Sequence, residues 1–229
     1  MNFLIKSGQG LKGEITIPGD KSISHRSIIL SSLAEGTSKI HGLLEGEDCL
    51  ATIEVFRNMG IKIINEEGVY SIEGNGLRGL DAPQKPLDFG NSGTSIRLCS
   101  GILSAQNFQS TLVGDSSLSS RPMQRIVEPL TDMGAKITSN NGTLPLNISP
   151  TDSFKSIDYL LPVASAQVKS CIMLAALYAE GVTKIQEGAV TRDHTENMFK
   201  QFGIPVNVES SDGKKSISLS NIKYINPTD

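Results

Sequence analysis

"LAEGTSKI" at Leu33–Ile40 and "YAEGVTKI" at Tyr178–Ile185 are the same phrase written twice in one chain. Each closes an apolar stretch, stops on Gly, and continues into a β-branched run. A second phrase occurs three times: "NMGIKI" (Asn58–Ile63), "DMGAKI" (Asp132–Ile137) and "QFGIPV" (Gln201–Val206). Here too a Gly ends an amphipathic stretch. Gly is the natural helix stop because it takes the left-handed conformation without a Cβ clash. Phrases that recur in order point to one supersecondary unit used several times.

The residues ahead of those glycines have helical spacing. Leu50, Ile53, Phe56 and Met59 recur every three residues. Ile126, Val127, Leu130 and Met133 follow i, i+1, i+4, i+7, and Met198, Phe199 and Phe202 do so more briefly. Ser120 reads as the N-cap of the middle one, with Pro122 near its first turn. An earlier helix precedes each: "SISHRSIILSSLAEG", "GTSIRLCSGILSAQ" and "SAQVKSCIMLAALYAEG". A short strand separates the two helices, and a hairpin signalled by "NEEG", "NNG" or "SDG" follows the second. A leading strand completes each unit: "GEITIPG", "KPLDFG" and "DYLLPV".

The fold class is therefore α/β (α+β), with three β-α-β-α-β-β repeats around a pseudo-threefold axis, helices inside and sheets outside. The units cover about 14–80, 85–150 and 157–222, within one domain over 19–225. Residues 1–18 form a separate N-terminal segment, and 226–229 lead away from the domain.

Composition narrows the function classes. The chain has 229 residues, 38% hydrophobic and 20% charged, as expected of a globular protein with a real core. The net charge of −3, with no basic run beyond Lys214–Lys215, argues against a nucleic-acid partner. No apolar run is long enough for a signal peptide or a membrane span. Cys49, Cys99 and Cys171 are odd in number and lie in no C-x-x-C pair, so no zinc or other metal site and no redox pair is expected. They read as small buried hydrophobes in a cytoplasmic protein, expected to be a monomer. "GQGLKG" (Gly8–Gly13) and "GNGLRG" (Gly74–Gly79) match G-x-G-x-x-G, but neither leads into a helix as a dinucleotide site requires.

The chemistry gathers at the starts of the three first helices. Ser22 is followed four residues later by Arg26, Gly93 by Arg97, and Ser165 by Lys169. Positions i and i+4 share a helix face. A cation in a first turn opposes the dipole there, at a cost of roughly 0.3–1 kcal/mol. Three such starts make sense if an anion sits at these ends and reverses the sign. Gly93 allows close backbone approach, Lys21 brings a mobile ammonium, and Arg26, Arg97 and Arg121 bring forks suited to carboxylate or phosphate. Taken singly, such a start is usually a cap with a surface salt bridge; the coincidence of three favours the anion. His25, His41 and His194 read as structural or surface histidines.

The stretches "PGDKSISHR", "LDFGNSGTSIRL", "GDSSLSSRPM", "LPVASAQVKS" and "TRDHTE", in that order over residues 18–196, resemble the 5-enolpyruvylshikimate-3-phosphate synthases. The wording of "SRPM", "SAQVKS" and "TRDHTE" is similar to that of the family's second class. The resemblance implies a fold of two domains, each of three such units, with the active site between them. It implies transfer of enolpyruvyl from phosphoenolpyruvate to the 5-hydroxyl of shikimate 3-phosphate, on the way to chorismate and the aromatic amino acids, without cofactor or metal. Lys21 would touch both substrates and take part in catalysis. Ser22, Arg26, Ser165, Ala166, Gln167, Thr191 and Arg192 would hold shikimate 3-phosphate. Asn91, Gly93, Thr94, Arg97, Arg121 and Gln167 would form the phosphoenolpyruvate site, for which glyphosate competes in the family.

Members are about twice as long as this chain. The resemblance thus implies an N-terminal half, whose partner would be a C-terminal domain carrying the acid–base Asp and Glu. Residues 1–18 would pack in that other domain, and this half alone would bind shikimate 3-phosphate without turning over. Two alternatives stand beside this reading. One is the sister transferase acting on UDP-N-acetylglucosamine, disfavoured because "GDSSLSSRP" contains no Cys. The other is a non-catalytic anion-binding module.

Overall fold

The computed structural model describes residues 3, 4, 6, 8, 10, 12–211 and 213–229. The first unit runs α1 (Lys21–Leu33), β1 (Glu35–His41), α2 (Glu47–Arg57), β2 (Lys62–Glu66), β3 (Val69–Asn75). The second is β4 (Leu87–Asp88), α3 (Gly93–Leu103), β5 (Ser110–Val113), α4 (Ser116–Ser119), α5 (Gln124–Asp132), β6 (Lys136–Asn140), β7 (Thr143–Ser149). The third is β8 (Asp158–Leu160), α6 (Ala166–Ala176), β9 (Val182–Glu187), α7 (His194–Gln201), β10 (Asn207–Ser211), β11 (Lys214–Ser220). The strands form three separate sheets, β1-β3-β2, β4-β5-β7-β6 and β10-β11-β9-β8.

The sheets repeat one topology. A hairpin closes each unit, and its second strand lies antiparallel to the strand between the helices. In units two and three the leading strand is added in parallel, Leu87 opposite Leu112 and Asp158 opposite Lys184. Each sheet turns one face to the helices. Tyr70 and Ile72 of β3, Leu144, Leu146 and Ile148 of β7, and Ile217 and Leu219 of β11 are buried at alternate positions. The first helices are buried on most of their circumference, α1 with Ser, His and Arg among its buried residues. Ile28–Leu33, Leu98–Leu103 and Val168–Ala176 are continuous buried runs. α3 and α6 pack so closely that a Cβ on Gly101 would stand 2.3 Å from the Cys171 carbonyl oxygen. Gly74 has a similar role: a Cβ there would lie 2.2 Å from the Ser31 carbonyl, where β3 crosses α1. That packing accounts for one of the two glycine motifs; the other falls partly outside the described residues.

Two expectations are corrected. "GEITIPG" forms no strand: Ile15 and Ile17 are 84% and 73% exposed, and the first sheet has three strands instead of four. The edge of β1 that it would occupy is taken by the other end of the chain. Glu35 N–H donates to the Ile225 carbonyl (2.9 Å), Lys39 N–H to the Thr228 carbonyl (3.2 Å), and Thr228 N–H to Ser38 Oγ (3.1 Å). Ile225 and Thr228 thereby tie this stretch to the first unit. Ser120 does not cap α5. It ends α4, an extra turn capped by Asp115, whose carboxylate accepts from Leu118 N–H at 2.7 Å. Parts of the N-terminal segment (1, 2, 5, 7, 9 and 11) and Asp212 of the "SDG" turn lie outside the described residues.

Candidate active site

Asp20 caps α1 by accepting from Ile23 N–H at 2.9 Å, which fixes the direction of the helix and of Arg26 one turn on. Arg26 is 5% exposed. Its Nε donates to Thr195 Oγ1 (2.6 Å), Nη2 to Ser170 Oγ (2.7 Å) and Nη1 to the Ser22 carbonyl (2.9 Å). Ser170 in turn donates to the Ala166 carbonyl (2.7 Å), so the Thr195 hydroxyl 2.6 Å away must donate to Ser170. The guanidinium is thus held by neutral acceptors, and no described carboxylate ion-pairs with it. Buried charges are normally paired, so a guanidinium left in this state is suited to an incoming anion. Burial, with Arg192 close by, pushes its pKa down to about 10.

Beside Arg26 lies a small cleft lined by Ser22, Thr94, Ala166, Gln167, Arg192 and His194. The starts of α1, α3, α6 and α7 meet there, as the repeat predicted for the first helices. The lining, which includes Arg26 itself, carries two guanidiniums, Arg26 and Arg192, and no carboxylate. Gln167 joins two of the starts, donating to Thr94 Oγ1 (3.0 Å) and accepting from Arg97 Nη1 (3.3 Å). Gly93 sits where two guanidiniums converge: a Cβ there would be 2.8 Å from Arg97 Nη1 and 3.0 Å from Arg121 Nη1. Arg121 donates to Asn91 Oδ1 (2.5 Å), and Asn91 is steadied by donating to Asp115 (2.7 Å). Burial, then Arg121 and Arg125, lowers the pKa of Arg97. Lys21, half exposed, ion-pairs with Asp48 at the first turn of α2.

Not every predicted residue faces this cleft. Lys169 departs from the pattern of its counterparts Arg26 and Arg97. It is fully buried and ion-paired to Glu187 (3.1 Å) and Glu196 (2.8 Å), so it offers no free charge to a ligand. The reason is tertiary: inward-facing Glu187 on β9 and Glu196 on α7 lie beneath it. Ser165 caps α6, accepting from Val168 N–H (3.3 Å), and Thr191 donates to Glu187 Oε1 (2.5 Å). Their hydroxyls are engaged in holding the site's frame. His25 is buried, 2.8 Å from Thr52 Oγ1 and 3.4 Å from Ser92 Oγ, and burial pushes its pKa down to about 4. A neutral His25 thereby ties α1 to α2 and to the cap of α3. Ser170 and Thr195, which position Arg26, were not singled out from the sequence. Their signal was available, since both lie within "SAQVKS" and "TRDHTE".

Residues 5–220 match the model of the family described as EPSP synthase (3-phosphoshikimate 1-carboxyvinyltransferase). The chain belongs to the EPSP synthase family. It is 54% identical over 214 residues to the 3-phosphoshikimate 1-carboxyvinyltransferase of Hydrogenovibrio crunogenus, covering 93% of this chain and 48% of that relative. The namesake of Methylococcus capsulatus is 56% identical over 206 residues, 89% and 47% of the two chains. The solved EPSP synthase of Acinetobacter baumannii superposes with a TM-score of 0.88 at 51% identity, covering 94% of this chain and 48% of that one. The chain therefore spans about half the length of the EPSP synthases it matches. The fold is that of an α/β enolpyruvyl transferase. No group of His, Cys, Asp and Glu among the described residues could hold a metal ion, and no described helix is long and apolar enough to cross a membrane.

Proposed function

We propose that this chain supplies the shikimate 3-phosphate-binding side of an EPSP synthase active site, together with part of its phosphoenolpyruvate site. The observation that carries the reading is Arg26, a buried guanidinium held only by neutral acceptors at a cleft where four helix starts meet. The phosphate would sit at Arg26, Ser22, Ser165, Ala166 and Gln167, with Arg192 closing over it and Thr191 steadying that turn. Phosphoenolpyruvate would sit against Gly93, Arg97 and Arg121, flanked by Asn91, Thr94 and Gln167. Lys21, mobile once it leaves Asp48, would reach both substrates.

In the reaction the methylene carbon of phosphoenolpyruvate gains a proton while the 5-hydroxyl oxygen, losing its own, adds to the neighbouring carbon; the new methyl then gives up a proton as phosphate leaves, which restores the C=C bond. The cations fix the two anions in reacting geometry and offset charge as it develops. A group that moves the proton is also required, and no carboxylate lines this cleft. The residues 19–225 thus form a binding half, and turnover needs carboxylates contributed from a C-terminal domain.

Titration with shikimate 3-phosphate tests this. Arg26→Ala, Lys21→Ala and Gln167→Ala should weaken binding, Arg26→Ala by tenfold or more, since a hydrogen bond to a charged group contributes about 1.5–3 kcal/mol. Unchanged affinity in all three rejects the site. Release of phosphate from the two substrates by this chain alone at a normal rate rejects the half-site reading.

A further inference from the structure

Behind the cleft, Lys169, Glu187, Glu196 and Lys215 form a buried cluster of two cations and two carboxylates. Glu187 and Lys215 occupy inward strand positions next to the apolar Ile185 and Ile217, and Lys169 and Glu196 come from α6 and α7. Glu187 is satisfied at both oxygens, by Lys169 on one and Thr191 on the other. Glu196 is not. Lys169 (2.8 Å) and Lys215 (3.0 Å) both donate to its Oε1, while Oε2 is buried and has no hydrogen-bond partner among the described residues. Glu196 follows Thr195, the residue that accepts from Arg26 Nε, and its charge already acts on Arg26 through space. A carboxylate with an idle oxygen, one residue along the chain from a guanidinium's hydrogen-bond partner, is a competitor for that guanidinium, and a bidentate pair is among the strongest available. Here two ammonium groups hold it by the other oxygen.

We propose that Lys169 and Lys215 are positioning residues for anion binding: they anchor the Glu196 carboxylate away from Arg26, and so leave that guanidinium's charge to the ligand's phosphate. This rests on the anion site proposed above. It explains why the third helix start departs from the other two. Arg26 faces the cleft and Arg97 reaches its Gln167, whereas Lys169, at the equivalent position, restrains the carboxylate that would otherwise neutralise Arg26.

The test is calorimetric titration of this chain with shikimate 3-phosphate, with folding of each variant checked by circular dichroism. Lys169→Gln should weaken binding roughly tenfold, because Glu196 is released to compete for Arg26. Glu196→Gln should bind at least as tightly as wild type. The double variant Lys169→Gln/Glu196→Gln should return to within about threefold of wild type, because the competing carboxylate is gone. A merely structural cluster would lower stability in the double variant without this rescue. A folded Lys169→Gln with wild-type affinity overturns the proposal, as does a double variant as weak as Lys169→Gln. Should Lys169→Gln not fold, Lys215→Gln, whose side chain lies nearer the surface, decides: a weakening of about threefold supports the proposal and none overturns it. Arg26→Gln separates the two levels. If it leaves binding unchanged, the anion site itself fails. If it weakens binding while the lysine variants do not, only the restraint on Glu196 fails.

Discussion

Gly93→Ala should separate the two anion sites. The added Cβ would stand 2.8 Å from Arg97 Nη1 and 3.0 Å from Arg121 Nη1. Comfortable contact lies near ~3.5 Å, so both guanidiniums must retreat by roughly half an ångström. They are the ends of flexible side chains, and Gly93 is not in the left-handed region, so the backbone accepts the methyl. At this first position of α3 alanine also gains part of the roughly 0.5–1 kcal/mol that it holds over glycine in a helix interior, which offsets the lost contact of Arg97 with Gln167. Net stability should stay within about 1 kcal/mol of wild type. Binding is a different matter. The methyl fills the place where an anion would approach the α3 N-terminus, and it moves two of its donors. Losing one charged hydrogen bond corresponds to about 1.5–3 kcal/mol, or roughly tenfold to a hundredfold in affinity for phosphoenolpyruvate. Shikimate 3-phosphate, assigned to Arg26, should lose less than about threefold. Paired titrations with the two compounds measure this. Unchanged phosphoenolpyruvate affinity, or equal losses for both, would refute the assignment of Gly93, Arg97 and Arg121 to a separate site.

Two further outcomes follow from the core. Gly101→Ala places a Cβ 2.3 Å from the Cys171 carbonyl, and backbone cannot step aside as a side-chain end can. α3 and α6 must separate, at a cost of at least about 2 kcal/mol, which thermal unfolding should register as a fall of about 4–8 °C. His25 has a folded pKa of about 4 against an ordinary value of 6.5. The unfolded chain therefore takes the proton first, and stability falls as pH drops from about 6.5 towards 4, by up to about 3 kcal/mol from this group. Urea midpoints for His25→Gln should show a shallower fall over that window; curves parallel to wild type would rule out the buried neutral imidazole as its cause.

The repeat, the glycine stops and the helix starts are local features. Each depends on a cap, a turn or a spacing within a dozen residues, and for that reason the amino-acid order alone determined the three units and most of their elements. It also determined that Arg26 and Arg97 stand one turn into their helices. What it did not determine is where a side chain goes when its surroundings come from distant parts of the chain. Arg26 and Lys169 have the same spacing from a helix start and opposite environments. Ser170 and Thr195 present neutral hydroxyls to the first, and Glu187 and Glu196 present charge to the second. "GEITIPG" has the composition of a strand, but pairing needs a vacant edge, and Ile225–Thr228 occupy the edge of β1. Helix ends are set by a few neighbouring residues; sheet edges and buried charges are settled only when the whole chain has packed.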